Sequence, residues 1–412
     1  MKISRGYKVE LDLNNKQITA CLKHAGCARF AFNWGLARKK QAFELGQKIP
    51  TAIDLHKELN ALKATDYPWM YEVSKCAPQE ALRDLDMAYK NAYRRLGEKK
   101  AEKKGKVGWP RFKSRNKGIG GFRLTGTIHI HTKTIQLPRL GKLRLKEHSY
   151  LPVGAKVAQA TVTERAGCWS VSVQIEREVG EMPAGHDAPI GIDLGIKALA
   201  TCSDGTSYPN PKALRTCLKQ LRRASKRVSS KKKGSKNRAK ARARLARVHA
   251  KIANLRKDTL QKSTTAIVTK ATSNGQRASC VVIEDLNISG MLKNRRLSRA
   301  IADVGLYEFR RQLIYKLEAA GIPLKVVSRW YPSSKTCSAC GWIDEDQQLS
   351  DRTFVCRQCG LVLDRDENAV RNLAQAAYED GLPPVRRELT PVDIVSDLGN
   401  KATVVEAGTE HG

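Results

Sequence analysis

The apolar positions along this chain change period several times, and each change marks a new element. Ile3, Tyr7, Val9 and Leu11 alternate weakly over residues 3 to 12 and predict a strand, which Asn14-Asn15 ends. From Lys16 to about Lys48 the spacing is helical (Ile18, Leu22, Ala25, Phe30, Trp34, Ala37). A second helix is expected over Ala52 to Leu62. A third runs from Pro78, a residue suited to a first helical position, to Leu96, with Leu82, Leu85, Tyr89 and Ala92 on one face. The period then drops to 2 in Phe122-Leu124, Ile128-Ile130, Ile135-Leu137 and Leu143-Leu145. A hairpin follows, Ala158 to Arg165 and Cys168 to Glu178, turning at Ala166-Gly167. Short strands at this spacing predict a small β-barrel over residues 1-12 and 107-180, with helical residues 13-106 inserted after its first strand.

After a linker the pattern becomes that of an α/β domain, residues 187-378. Ile190 to Ala200 is an apolar strand with Asp193 in its middle, and Ala278 to Asn287 is a second that ends in Glu284 and Asp285. Leu324 to Val327 is a third. Leu214, Leu218 and Leu221, then Leu245, Val248, Ile252 and Leu255, predict a helical hairpin that turns at Ser229 to Ser235. Asp303 to Ala320 is an amphipathic helix stopped by Gly321. A last helix opens at Asp366 and carries Ala369, Leu373 and Ala376. The fold class expected is therefore α/β plus α+β.

Charge narrows the function. The 412 residues hold 75 Lys+Arg against 40 Asp+Glu, a net charge of +35, and such an excess is usually neutralised by a polyanion. There is no run of about 18 apolar residues and no signal peptide, so a soluble, intracellular protein with no membrane partner is expected. The basic residues cluster. Arg94 to Lys117 holds 11 Lys+Arg around Trp109-Pro-Arg-Phe-Lys-Ser-Arg115, and residues 211-262 hold 20 against the single acid Asp258. Arg111, Lys113 and Arg115 in the first cluster, and Lys231, Lys232 and Lys233 in the second, are candidate nucleic-acid contacts, the first beside aromatics able to stack on bases. The plainer alternatives are a solvated linker with Trp109 and Phe112 buried, and a solvated helix face.

Two groups carry chemistry. Cys337-Ser-Ala-Cys340-Gly and Cys356-Arg-Gln-Cys359-Gly, with 15 residues between the knuckles, have the spacing of a four-thiolate zinc ribbon, which leaves the metal no open position and makes it structural. The other seven of the 11 cysteines lack a pairing pattern and read as reduced, mostly core residues. Asp193, Glu284 and Asp366 each end a strand or open a helix. Read singly, Asp193 could be satisfied by backbone N–H groups and Asp366 could be a plain N-cap or first-turn acid. Together they could converge on two Mg²⁺ or Mn²⁺ ions for phosphodiester hydrolysis, with Gly191 and Gly195 leaving room for metal and phosphate.

Gly-Ile-Asp193-Leu-Gly, Val-Val-Ile-Glu284-Asp-Leu, Tyr331-Pro-Ser-Ser-Lys-Thr-Cys-Ser-Ala-Cys-Gly and Asp364-Arg-Asp-Glu-Asn-Ala, with Gly26 to Trp34 and Pro-Arg111-Phe-Lys-Ser, resemble the TnpB proteins of bacterial insertion sequences in sequence and in order. The resemblance covers nearly all of residues 1 to 378. It implies a RuvC-like (RNase H fold) nuclease domain with a zinc ribbon at 335-362, and an N-terminal wedge-type barrel with a helical recognition insert. It implies an RNA-guided DNA endonuclease that binds an RNA from the transposon end and cuts double-stranded target DNA beside a short motif, with base pairing supplying specificity. Asp193, Glu284 and Asp366 match the family's catalytic acids, Asp364 its non-catalytic neighbour, and Cys337, Cys340, Cys356 and Cys359 its zinc ligands. Gln79 falls where the family contacts the target-adjacent motif, and Val370 departs from its usual alanine. A bacterial cytoplasmic location, on the nucleoid when DNA is bound, goes with this. So does a separate transposase that moves the element, since no Tyr or His constellation here offers a joining nucleophile. A catalytically silent guided DNA-binding regulator, which should have lost an acid, and a compact type V CRISPR effector are the alternatives. The acidic tail 379-412 is expected to stay disordered.

Overall fold

A computed structural model of the chain describes residues 2–102, 108–115, 118–178, 187–272, 278–348 and 351–378. The expected disordered tail lies outside them. The described residues fall into two compact units, one within Met1–Glu178 and one within Val179–Leu389. Among the described residues no helix is long and apolar enough to cross a membrane.

In the first unit, β1 (Lys2–Asp12) leads into α1 (Asn15–Glu44), α2 (Ala52–Leu62) and α3 (Cys76–Glu102). Reciprocal capping boxes start the first two helices: Asn14 with Gln17, and Thr51 with Asp54. Helix α1 stops at Glu44 rather than near Lys48, because Gly46 takes the left-handed conformation (φ +64°) and ends the turn. Helix α3 starts two residues before Pro78, which the first helical turn tolerates. Six further strands follow: β2 (Gly121–Leu124), β3 (His129–Ile130), β4 (Thr134–Leu137), β5 (Gly141–Leu145), β6 (Val157–Arg165) and β7 (Cys168–Glu178). They add to β1 in the order β2-β6-β7-β1-β5-β4-β3. The first strand is thus the hinge of the sheet: residues 2–10 pair with β7, and Leu11 and Asp12 pair with β5. Among the described residues no pairing joins β2 to β3, so the ladder is open at both edges and the expected barrel is not closed. The helices do not form a core of their own. Leu36, Leu55, Leu82 and Leu85 share one apolar cluster with Val9, Ile135, Leu143 and Val171 of the sheet.

The second unit is a five-stranded sheet covered on both faces. Its strands β8 (Ile190–Asp193), β9 (Ala198–Cys202), β10 (Ser207–Pro209), β11 (Val281–Glu284) and β12 (Leu324–Val327) are ordered β10-β9-β8-β11-β12. The first three form an antiparallel meander, and β11 and β12 extend it in parallel from β8. Between β10 and β11 run α4 (Ala213–Ser229) and α5 (Lys236–Lys270), the expected hairpin. Gly234 (φ +85°) makes its turn, and Ser235 caps α5 through the N–H of Arg238. Asp303 receives the N–H of Leu214 at the start of α4 and pairs with Arg256 of α5, fixing the hairpin to its base. Short α6 (Ile288–Met291) and α7 (Ser298–Val304) precede α8 (Leu306–Ala320), which ends at Gly321 (φ +68°) as expected. The hairpin β13 (Thr353–Val355) with β14 (Val362–Asp364) leads into α9 (Arg365–Gln375).

Of the seven cysteines outside the two knuckles, six are buried and Cys168 is exposed. Burial pushes the thiols of Cys21, Cys27 and Cys202 up to about 12, which leaves them unreactive packing groups.

Candidate active site and metal centre

Strands β8 and β11 place Ile192 opposite Ile283, so the next residue on each, Asp193 and Glu284, end side by side at the C-terminal edge of the sheet. Alternation decides which face they point to. Ile192, Val281 and Ile283 are buried with α5 and α8, whereas Cys280 and Val282 are buried against Leu373, Ala376 and Ala377. Glu284 shares the face of Val282 and Asp193 that of Gly191, so both carboxylates stand on the α9 side.

Gly191 shows how closely α9 approaches. A Cβ there would strike the carbonyl oxygen of Val370 and lie 2.6 Å from the backbone nitrogen of Ala374. The expectation that Gly191 leaves room for metal and phosphate is therefore corrected: its missing side chain lets a helix backbone lie on a strand backbone. Asp366 is one helical turn before Val370, and its field reaches Asp193. The Asp193 carboxyl is pushed up to about 7, most by burial and then by the charges of Glu284 and Asp366, against the N–H of Leu194 and the guanidinium of Arg365. All three distant acids thus meet at one end of the sheet.

Their neighbours are accounted for by other partners. Asp285 is held by Arg310 of α8 (3.0 Å) and by Arg329 (2.6 Å), which lowers its pKa. Asp364 is the N-cap of α9, accepting the N–H groups of Asp366 (2.9 Å) and Glu367. The cap is therefore Asp364, and Asp366 stands as an acid of the first helical turn, where the helix dipole favours negative charge. Glu284 accepts a hydrogen bond from the hydroxyl of Ser333.

The cysteine cluster is compact. The four sulfurs lie within 4.8 Å of one another, with Cys337 and Cys359 3.6 Å apart and Cys340 and Cys356 3.5 Å apart. The two knuckles are copies. Gly341 and Gly360, with φ near +78° and +75°, donate their N–H to Cys337 and Cys356, while these two donate theirs to Trp342 and Leu361. Four convergent thiols fit a tetrahedral zinc. Among the described residues this is the one group of three or more potential ligands so tightly drawn together. The acids form a wider set.

The other candidate residues are dispersed. Lys231, Lys232 and Lys233 are exposed at the tip of the α4–α5 hairpin, and Arg111 and Arg115 are exposed in the aromatic-basic segment. Lys113 differs: its ammonium lies 3.9 Å from the Phe32 ring centroid, and desolvation lowers its pKa to about 8. Asn33 of α1 brackets the same residue, donating to the Lys113 carbonyl (2.9 Å) and accepting its N–H (2.7 Å). Asn33 therefore fastens the segment through the Lys113 backbone, while the Lys113 side chain remains exposed beside Phe32. Gln79 is half-buried in the first turns of α3. Sequence reasoning passes over Ser333, Asn368 and Asn372, whose amides and hydroxyl tie the acids' surroundings together. Their signal is two asparagines four apart on the buried face of a helix that opens with acids.

Comparison with known proteins places this geometry. Residues 170–295 match the family described as "Probable transposase" of the OrfB IS605 type, and residues 307–373 match the Cas12f1-like TNB domain. A Streptomyces pristinaespiralis protein named "Putative RNA-guided DNA endonuclease" is 35% identical, over 93% of each chain. The chain belongs to the TnpB family. A family member from Escherichia coli K12 with the same designation is 32% identical over 92% of this chain and 93% of that one. Residues 1–48 match an OrfB IS605 helix-turn-helix domain, yet here that span is strand β1 followed by the single long helix α1. Among solved structures, that of a Cas12f1–sgRNA–target DNA complex shares the fold over 90% of this chain and 99% of that one, with a TM-score of 0.54 at 14% identity.

Proposed function

We propose that this protein is an RNA-guided DNA endonuclease of a bacterial insertion sequence, and that Asp193, Glu284 and Asp366 are its catalytic acids. The observation that carries the reading is their convergence at the C-terminal edge of β8 and β11. Three carboxylates gathered there, one with its pKa raised most by burial and then by the charges of the other two, gain most from a divalent cation. They would hold two Mg²⁺ or Mn²⁺ ions, hard cations suited to oxygen donors, which when bound supply Lewis acidity and an activated water for phosphodiester hydrolysis. The protein's own part is orientation: Ser333 turns Glu284, Asp364 takes the capping of α9 so that Asp366 need not, Arg365 lies 3.8 Å from the Asp366 carboxylate, and Arg310 with Arg329 neutralises Asp285. The cysteines would hold a structural zinc in a ribbon within a RuvC-like nuclease domain.

The sheet of the first unit and its helices would serve as the wedge and the recognition insert, with Gln79 near the motif that flanks the target. The exposed lysines of the α4–α5 hairpin suit a polyanion backbone. Guide RNA from the transposon end and double-stranded DNA would be the partners, in the bacterial cytoplasm and on the nucleoid, with a separate transposase moving the element.

The test begins with sequencing RNA that co-purifies with the full chain, followed by incubation with matching DNA that carries randomised flanks. Mg²⁺-dependent cutting beside one enriched flank is expected for the wild type and at least ~10³-fold less for Asp193→Ala, whose RNA binding stays intact. Undiminished cutting by that variant would take Asp193 out of the site.

A further inference from the structure

The segment Ser333–Ser338 runs from the acid site to the first cysteine knuckle, and it is fastened along its whole length. At one end the Ser333 hydroxyl donates to the Glu284 carboxylate. The Asn372 amide donates to the carbonyls of Ser333 (2.7 Å) and Thr336 (2.6 Å), and the Asn368 amide donates to Thr336 as well (2.6 Å). The N–H of Ser338 returns a bond to the Asn368 side-chain oxygen at 3.0 Å, and Gln375 donates to the Ser338 carbonyl at 2.9 Å. Between Thr336 and Ser338 stands Cys337, the first thiol of the cluster.

Asn368 and Asn372 are 0% and 1% exposed, on a helix that otherwise buries Ala369, Val370 and Leu373. Burying two amides costs free energy unless every polar atom is matched, and an apolar pair would pack α9 without that requirement. What the amides add is register. They fix α9, which carries Asp366, against the same six residues that hold Glu284 and begin the knuckle. An ordered knuckle restrains Thr336 and Ser338, the very groups the amides grip.

We propose that Ser333, Asn368 and Asn372 are positioning residues that hold Glu284 and Asp366 in register with the cysteine cluster, so that zinc in the cluster tightens divalent-ion binding at the acids. The proposal rests on the acid-site reading above.

The probe is Mn²⁺, titrated into the full chain freed of RNA and followed by the electron paramagnetic resonance of the unbound ion. Asp193→Ala defines the background. Ser333→Ala and Asn372→Ala should each raise the half-saturating Mn²⁺ concentration by about 10- to 100-fold, the usual effect of losing an outer partner of a metal ligand, while zinc content stays at the wild-type level. Because they act as one truss, the double variant should shift it by less than the product of the single effects. Removing zinc from the wild type with a chelator should reproduce the shift. Ser333→Ala deletes one oxygen and leaves both amides in place, so it carries the test if an asparagine variant fails to fold. Zinc-loaded Ser333→Ala that binds Mn²⁺ as tightly as the wild type, or a wild type indifferent to zinc removal, overturns the proposal. No Asp193-dependent Mn²⁺ binding in the zinc-loaded wild type would instead remove the acid-site reading itself.

Discussion

The cysteine cluster and the acid site stand in the same unit and are built in opposite ways. The four thiols come from one short stretch, Cys337 to Cys359, and each knuckle is shaped by its own backbone hydrogen bonds and its own positive-φ glycine. The three acids come from two strands and a helix separated by most of the unit. They meet only because β8 and β11 pair in one register and α9 lies directly on Gly191. A site encoded locally can lose its metal without unpairing the strands of the sheet, although the Ser333–Ser338 segment still links it to the acids. One encoded by the fold can be damaged from positions that touch no ligand.

The first way to sharpen the contrast is Cys356→Ser. Its serine cannot supply the fourth thiolate, so zinc content should fall from one equivalent to nearly none, by elemental analysis. Hydrogen exchange should quicken across the knuckles and β13–β14 while the amides of β8 and β11 keep their protection. Equal zinc in wild type and variant would refute the ribbon. Loss of protection in β8 would refute its locality.

The same contrast explains what could be read from residue order alone. The knuckles were fully legible, because CxxCG spacing carries its own geometry. The acids were legible as residues, since a carboxylate inside or at the end of an apolar strand is costly without a partner. Their meeting place was not, because strand order and the lie of α9 depend on packing. Gly191 shows the gap well: a glycine beside a candidate catalytic acid reads as space for a ligand, and the structure fills that space with Val370 and Ala374. Lys113 is a second case. Its place in an aromatic-basic run points to phosphate, and only the fold shows that its ammonium also lies 3.9 Å from the ring centroid of Phe32, 81 positions earlier in the chain. The small barrel is a third. Strand periodicity gave the seven strands, and only their pairing shows the ladder open at β2 and β3.

The acid site should also cost the fold stability that the cysteine cluster does not. Asp193 titrates at about 7 in the folded chain against 3.8 unperturbed. The unfolded chain therefore gives up this proton first, and metal-free protein loses stability as pH rises from about 4 through 7. At about 1.4 kcal/mol per pKa unit, the loss approaches ~4 kcal/mol above pH 8. Asp193→Asn removes the charge and keeps the shape. It should stabilise the metal-free second unit by up to ~4 kcal/mol at pH 8 and by almost nothing near pH 3, in urea unfolding at both values. Equal gains at the two values would mean that the carboxylate is not strained by its neighbours. Gly191→Ala ranks next. With backbone atoms of α9 unable to yield as a flexible side chain would, the added methyl should cost about 3 kcal/mol and slow cutting although no acid is changed. Unchanged stability would show that α9 does not rest on β8.

The smallest effect belongs to the locally built centre, and it tests whether that centre is local to its last detail. Gly341 adopts φ +78° immediately after Cys340, and a Cβ there would meet nothing within 4 Å. Substitution by alanine therefore introduces no clash, only the cost of a left-handed conformation for a residue with a side chain, about 1 to 2 kcal/mol. That cost is borne where the knuckle closes, so zinc affinity should fall by about 5- to 30-fold in competition with a chromogenic chelator. The urea midpoint of the zinc-free protein should fall little, because without metal the knuckle can relax. A zinc-free chain destabilised as much as the zinc-loaded one would mean that the knuckle turn is held by the surrounding fold, and the division between a locally encoded and a globally encoded centre would not stand.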